Sequence, residues 1–282
     1  MNIKAITNIL IDGGIPENEA KAEIRIMLDH FFDYNLKKEV MGETLTAEQL
    51  EFLTEKACYR VETGEPVQYI TGFADFMDER FIVNKNVLIP RDETELLVRE
   101  SVRLIKENKL ENALEIGAGS GCISCMVAKS ADVQIMGVDI SNEALHVALD
   151  NATRLNLFNK AIFRKSDIYS KIKDYEKFDI IISNPPYIPL KDKLTLQREV
   201  KFEPELALFA KDDLGLEFYE KIINDAHRYL NPNGFIAFEL GINQVAYVKL
   251  LLERANFKQI NTIKDLAGIE RVIIGQICQL PM

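Results

Sequence analysis

The sequence predicts an α/β protein: an open, mostly parallel sheet with helices on both faces, preceded by a small helical bundle. Three observations carry this. From Lys109 onward, short apolar runs alternate with helical apolar stripes, the pattern of strand–helix–strand units. The first such run passes into a helix through Gly117-Ala118-Gly119-Ser120-Gly121, a Gly-rich turn of the kind that lets a backbone approach a ligand. Before Gly64 the apolar spacing is helical throughout, with no strand-like alternation.

The helical stripes run Ile3, Ile6, Leu10, then Ile24, Met27, Leu28, Phe31, then Leu50, Leu53, Ala57. Gly13-Gly14 marks a stop, Pro16 a helix start and Thr46 an N-cap, so residues 1–64 form a helical domain. The stretch from Gly64 through Gly72 breaks that period, and the chain to Pro90 is rich in Phe, Val and Ile. Residues 65–90 therefore read as a β-hairpin linker. Asp92 and Glu95 have capping-box spacing ahead of Leu96, Leu97 and Val98, which predicts a helix to about Glu107. Within 91–282 the predicted strands are 113–116, 134–139, 161–164, 178–183, 235–240, 257–263 and 272–277. A helix capped by Ser141 carries Ala144, Leu145, Ala148, Leu149 and Ala152. Another carries Leu216, Tyr219, Ile223, Ala226 and Leu230, and Asn231-Pro232-Asn233-Gly234 reads as its stop. A last helix spans about 245–255.

Composition bounds the function. The chain of 282 residues is 47% apolar and 28% charged, enough for a full core in one large or two ordinary domains. It has no apolar run of ~18 residues and no signal or transit pattern in Met1 to Gly14, so a cytoplasmic protein without membrane attachment is expected. A formal charge of −10 argues against a general grip on phosphates and against stable nucleic-acid binding. Four cysteines do not make a disulfide framework in this length. Cys122 and Cys125 sit among Ile123, Met126 and Val127 and read as small buried residues rather than a metal or redox pair. His30, His146 and His227 are scattered, so no protein metal site is expected.

The chemistry concentrates at four strand ends. Asn184-Pro185-Pro186-Tyr187 follows the run Phe178 to Ser183, where the carboxyl end of a buried strand opens into a crevice. The two prolines stiffen the loop. It offers two acceptors, the Asn184 side-chain oxygen and the Pro185 carbonyl, with the Tyr187 ring as an apolar wall; together they suit a planar group bearing NH2. The bland alternative is a Pro-rich turn. Upstream, the acid Asp139 ends the second strand about twenty positions past the glycines, where an acid holds ribose hydroxyls. A nicotinamide dinucleotide is the first competitor. The spacing G-x-G-x-G and the preceding Glu115, a carboxylate at the mouth where a pyrophosphate would be repelled, lean away from it. A ribose-bearing, phosphate-free, cationic cofactor fits better, and S-adenosylmethionine is such a molecule. Asp167, past the third strand, can accept from an adenine amino group or be a plain loop acid.

On these motifs the chain resembles the protein-glutamine N5-methyltransferases that modify the Gly-Gly-Gln loop of peptide-chain release factors, the PrmC/HemK type. The resemblance also covers Gly64 through Ile70, Ile89-Pro90-Arg91, Glu93-Thr94-Glu95, Gly119 through Ile123, Asp139-Ile140-Ser141, Phe202-Glu203-Pro204, Glu239-Leu240-Gly241 with Gln244, and Gly268 with Arg271. The tetrapeptide alone is shared with enzymes that methylate the amino group of adenine; the helical front domain and the 64–95 block are the specific part. Asp92 stands where the family usually has a second proline, Ala118 where threonine is common, and Phe202 where tyrosine is common. The resemblance implies a Rossmann-like class I S-adenosylmethionine-dependent methyltransferase domain over 91–282 and a substrate-recognition role for 1–64. It implies class I release factors as partners and S-adenosylhomocysteine as the cofactor product. Asn184, Pro185 and Tyr187 are then the catalytic candidates, joined by Pro186 for binding substrate. Glu115, Gly117, Ala118, Gly119, Gly121, Asp139, Ile140, Asp167 and Asn184 are the cofactor-binding candidates. The alternatives are an adenine amino-methyltransferase acting on DNA or RNA, which must extract a base and grip phosphates, and a non-enzymatic donor-binding or scaffold protein, against which the intact Asn184 loop speaks.

Overall fold

The computed structural model describes residues 2–277. Contacts divide the chain into two compact units, one of residues up to Phe73 together with Gln197–Phe202, the other of the remainder. In the first unit the helices are α1 (Ile3–Asp12), α2 (Glu17–Phe32), α3 (Leu36–Val40), α4 (Ala47–Thr63) and α5 (Val67–Thr71). Asn2 caps α1, and Thr46 with Gln49 forms a complete capping box on α4, satisfying N–H groups that a helix start leaves open. Ile6, Leu10, Ile24, Met27, Leu53 and Ala57 meet in one apolar core. Arg60 is buried beside it, held by both oxygens of Glu23 and by Glu199. Removing one partner of such a buried pair costs about 3–5 kcal/mol.

The stretch from Gly64 to Gly72 is helical, not extended. Pro66 stands at the N-cap of α5, and Gly72, with φ of 77°, ends it in the left-handed region, a stop that needs no Cβ. The hairpin is correspondingly shorter than the expected 65–90: β1 (Phe73–Phe76) and β2 (Glu79–Ile82), joined by Met77 and Asp78, both at positive φ. Such a two-residue turn matches the strand twist even without glycine. Phe76 and Phe81 bury themselves in the core of the second unit.

That unit continues through α6 (Asp92–Asn108), β3 (Asn112–Ile116), α7 (Cys122–Ser130), β4 (Gln134–Asp139), α8 (Asn142–Arg154), β5 (Ala161–Lys165) and β6 (Phe178–Ser183). After β7 (Ile188–Pro189) come two 3-10 turns, then α9 (Glu205–Leu208), β8 (Phe209–Ala210), α10 (Glu217–Tyr229), β9 (Leu230–Glu239), α11 (Val245–Arg254), β10 (Phe257–Lys264) and β11 (Glu270–Ile277). The seven-stranded sheet has the order β10-β11-β9-β6-β3-β4-β5, and β11 alone runs antiparallel to its neighbours. Alternation along each strand divides the core. Ile180 and Ile182 face α6 and α7, while Leu114, Ile116 and Ile181 face α10 and α11. Cys122 and Cys125 lie buried on the α7 side, where burial pushes the Cys122 thiol up to about 12.

Two local expectations are corrected. Asp92 and Glu95 do not form a capping box: Arg91 occupies the N-cap without a side-chain bond, and Glu95 instead accepts from Met77 N at 2.9 Å and pairs with Arg99. Residues 231–234 follow the end of α10 at Tyr229, as expected of its stop, but the next strand begins at Leu230 and not at 235. They form a bulge inside β9, whose pairing with β6 jumps from Phe178↔Leu230 to Ile180↔Phe235; Asn233 takes the left-handed conformation that the extra residues require. No helix of the described residues is long and apolar enough to cross a membrane.

Candidate active site

Sheet order reverses between β3 and β6, since β3 leads on to β4 on one side while β6 leads on to β9 on the other. A crevice forms where loops leave such a pair in opposite directions. Here a cavity of about 270 Å³ opens at the carboxyl ends of β3, β4, β5 and β6. The Ser183 hydroxyl donates to the Ile116 carbonyl at 2.7 Å and ties the two central strand ends together.

The Gly-rich turn supplies the floor. Gly117 and Ala118 both donate their N–H to the Val138 carbonyl, at 2.8 and 3.0 Å, which folds the turn onto β4. Gly119 lines the cavity with φ of +53° and open space where a Cβ would project, so any side chain there would be strained. At Gly121 the constraint is packing: a Cβ would come within 2.9 Å of the Ala148 Cβ, at φ of +76°. Asp139 ends β4 in the cavity wall, and each of its carboxylate oxygens takes one backbone N–H, Gly119 on Oδ2 and Ser141 on Oδ1, both at 2.9 Å. Burial raises its pKa against the pull of those bonds. Ile140, 48% exposed, and Asp167, whose side chain is exposed, complete this wall.

The structure brings Gly117, Gly119, Asp139, Ile140, Asp167, Asn184, Pro185 and Pro186 to this one cavity. Ala118 and Gly121 lie behind it, shaping the turn. Glu115 is not at the mouth. On β3 its side chain alternates to the α7 face, where Oε2 accepts from the Ser124 N–H at 2.9 Å and from the Ser124 hydroxyl, while Oε1 is buried with no partner among the described residues. Burial pushes its pKa up to about 8, against the bonds from Ser124. Repulsion of a pyrophosphate by this carboxylate therefore does not operate.

Asn184 leaves β6 half-buried with a divided amide. Its Nδ2 donates to the Thr94 hydroxyl at 3.3 Å, and its Oδ1 has no hydrogen bond among the described residues. Tyr187 does not line the cavity. Its ring packs on the core side shared with α10, and its hydroxyl donates to Glu239 Oε1 at 3.3 Å. The loop is pinned from outside by Gln244, which donates to the Tyr187 and Leu214 carbonyls at 3.0 and 2.8 Å. Glu203, buried, accepts from Ile89 N at 3.0 Å and from the Arg91 guanidinium. It thereby joins two segments of the wall, Lys85 to Leu88 and Pro204 to Ala207. Thr94, Glu203, Glu239 and Gln244 were visible in the sequence only as members of motifs; no spacing assigns them a role.

Residues 93–200 match the family described as methyltransferase small domain. The chain is 37% identical over 244 residues to a release factor glutamine methyltransferase of Fusobacterium nucleatum, covering 86% of this chain and 68% of that one. A protein of the same name from Geobacter sulfurreducens is 41% identical over 219 residues, 76% and 74% of the two chains. Among solved structures, a methyltransferase from Pyrococcus furiosus superposes with a TM-score of 0.52 at 19% identity, over 83% of this chain and all of that one. At that identity the likeness shows the fold.

Proposed function

The chain belongs to the release factor glutamine methyltransferases, and on that premise we propose that it methylates the side-chain amide nitrogen of the glutamine in the Gly-Gly-Gln motif of class I peptide-chain release factors. S-adenosylmethionine is the donor and S-adenosylhomocysteine its product. The residues fit that donor: Gly119 lines the cavity with bare backbone at a left-handed φ, Asp139 and Asp167 supply acceptors, and Ile140 an apolar plate. When bound, it supplies an electrophilic methyl group on a sulfonium.

An amide nitrogen is a poor nucleophile because its lone pair is spread into the carbonyl. The protein must favour density on nitrogen and stabilise the positive charge that develops there. The single observation that carries the reading is the divided amide of Asn184, with nitrogen committed to Thr94 and oxygen left for the cavity wall. Asn184 Oδ1 and the Pro185 carbonyl each accept one N–H of the substrate amide and hold its plane, a preorganised pair of acceptors that strengthens as charge grows. No strong base is required, because the alkylated amide is acidic enough to release its extra proton to water. Tyr187 braces the loop from behind. Selectivity for one glutamine comes from contacts remote from this small site, and the helical domain over 1–64 provides them.

The test is methyl transfer from labelled donor to an intact class I release factor, run beside DNA and RNA. Label on the release factor alone supports the proposal. Label on nucleic acid alone, with steep salt dependence, overturns the substrate and favours the adenine reading.

A further inference from the structure

At the end of β9, Glu239 is 3% exposed and uses its two oxygens separately. Oε2 accepts the Thr94 hydroxyl at 2.6 Å, and Oε1 accepts the Tyr187 hydroxyl at 3.3 Å. A hydroxyl has one proton to give. With that proton directed at Glu239, Thr94 can offer Asn184 only a lone pair, so it must receive Nδ2, and the amide oxygen is left outward.

We propose that Thr94 and Glu239 act as positioning residues that fix which way round the Asn184 carboxamide stands, and so make the site select a substrate group that donates N–H rather than one that accepts. This rests on the reading of Asn184 given above. The relay works in one direction while Glu239 is a carboxylate. Once Glu239 takes a proton at Oε2 it donates to Thr94, the Thr94 proton turns towards Asn184, and the amide must present oxygen to Thr94 and nitrogen to the substrate. Two NH2 groups then face each other, and the acceptor is lost.

The groups around Glu239 place that change near neutrality. Its pKa stands raised at about 7, burial being the main cause and the charge of Glu93 on α6 a smaller one in the same direction. The bonds from Thr94 and Tyr187 and the charge of Arg271 on β11 oppose the rise. Tyr219 of α10 donates to the Glu239 backbone carbonyl, and Cys122 of α7 also lies within its field. Arg271 is itself shared with Asp265 and Glu93, at 2.9 and 3.7 Å, so it does not neutralise Glu239 outright.

The experiment measures kcat and KM on an intact release factor between about pH 6 and pH 9 for the native protein, T94V, T94S, E239Q and N184A, with donor affinity by calorimetry. T94V is expected to lower kcat about 10- to 100-fold with donor affinity held within about twofold, and T94S to recover all but about threefold of the loss. Native kcat should rise with pH through a midpoint of about 7, and that limb should vanish in E239Q, which cannot titrate. A merely structural role would lower thermal stability without removing the limb. Native kcat in T94V, or a limb that persists in E239Q, overturns the relay, and the E239Q profile decides if T94V does not fold. Near-native turnover in N184A would instead overturn the Asn184 reading itself, whereas an inactive N184A beside a fully active T94V removes only the relay.

Discussion

Replacing Asp139 tests the donor wall, and the structure sets the size of the effect. Its carboxylate takes one backbone N–H on each oxygen, from Gly119 and Ser141, both at 2.9 Å. Bonds of this kind to a charged acceptor contribute about 1.5–3 kcal/mol each. Asp139→Ala loses both and removes the acceptor proposed for the ribose hydroxyls. Asp139→Asn keeps one oxygen but turns its NH2 against one of the two N–H groups, so it should behave more like alanine than like aspartate. The part that falls on donor binding is about 1–3 kcal/mol, an increase in Kd of about 5- to 150-fold. Calorimetry with S-adenosylmethionine and with S-adenosylhomocysteine reads this directly, and thermal melting without ligand reads the part that falls on the turn. Unchanged affinity in a folded variant would refute the reasoning and leave Asp139 as a brace for the Gly119 turn alone.

Glu115 gives a stability test. Its folded pKa, pushed up to about 8, lies above the ordinary 4.5, so the folded state holds a proton that the unfolded chain releases. That contribution is full below about 4.5, is lost as pH rises through about 8, and totals on the order of a few kcal/mol. E115Q should therefore flatten the fall in Tm over this window, and parallel curves for the two proteins would contradict the assignment. Truncation tests the helical domain. A chain beginning at Lys85 loses Phe76 and Phe81, 2% and 0% exposed, at about 3–5 kcal/mol for each buried ring removed, and should not fold. A chain beginning at Phe73 should fold, bind donor normally and fail on intact release factor; full activity there would show that residues 1–72 play no part in recognition.

Much of this site is legible in the sequence because it is local. The strands 134–139 and 178–183 are found with the expected bounds, and the first strand and 161–164 differ from the structure by one residue, since buried parallel strands are continuous apolar runs bounded by turn residues. Each run delivers its polar residue to the same edge of the sheet. The face on which Glu115 stands is not legible, because a strand buried on both sides shows no alternation of apolar and polar residues to read. The Thr94–Glu239 contact is equally hidden. Its partners are 145 positions apart, and only the packing of α6 over the end of β9 brings them together. The helix α5 is not legible as a helix, because five residues are too few to display a period, although Pro66 and Gly72 mark its two ends.

The central claim is that the Asn184 oxygen stabilises transfer of a methyl group to a glutamine amide. It is tested most directly by tandem mass spectrometry of an intact class I release factor after incubation with donor and either the native protein or Asn184→Ala. The native protein should place one methyl group on the side-chain nitrogen of the Gly-Gly-Gln glutamine. The variant should bind donor within about twofold of native and methylate at least about 100-fold more slowly, because the missing acceptor acts chiefly in the transition state. Methylation of that glutamine by Asn184→Ala within about threefold of the native rate, or methylation at any other residue by the native protein, would contradict the account.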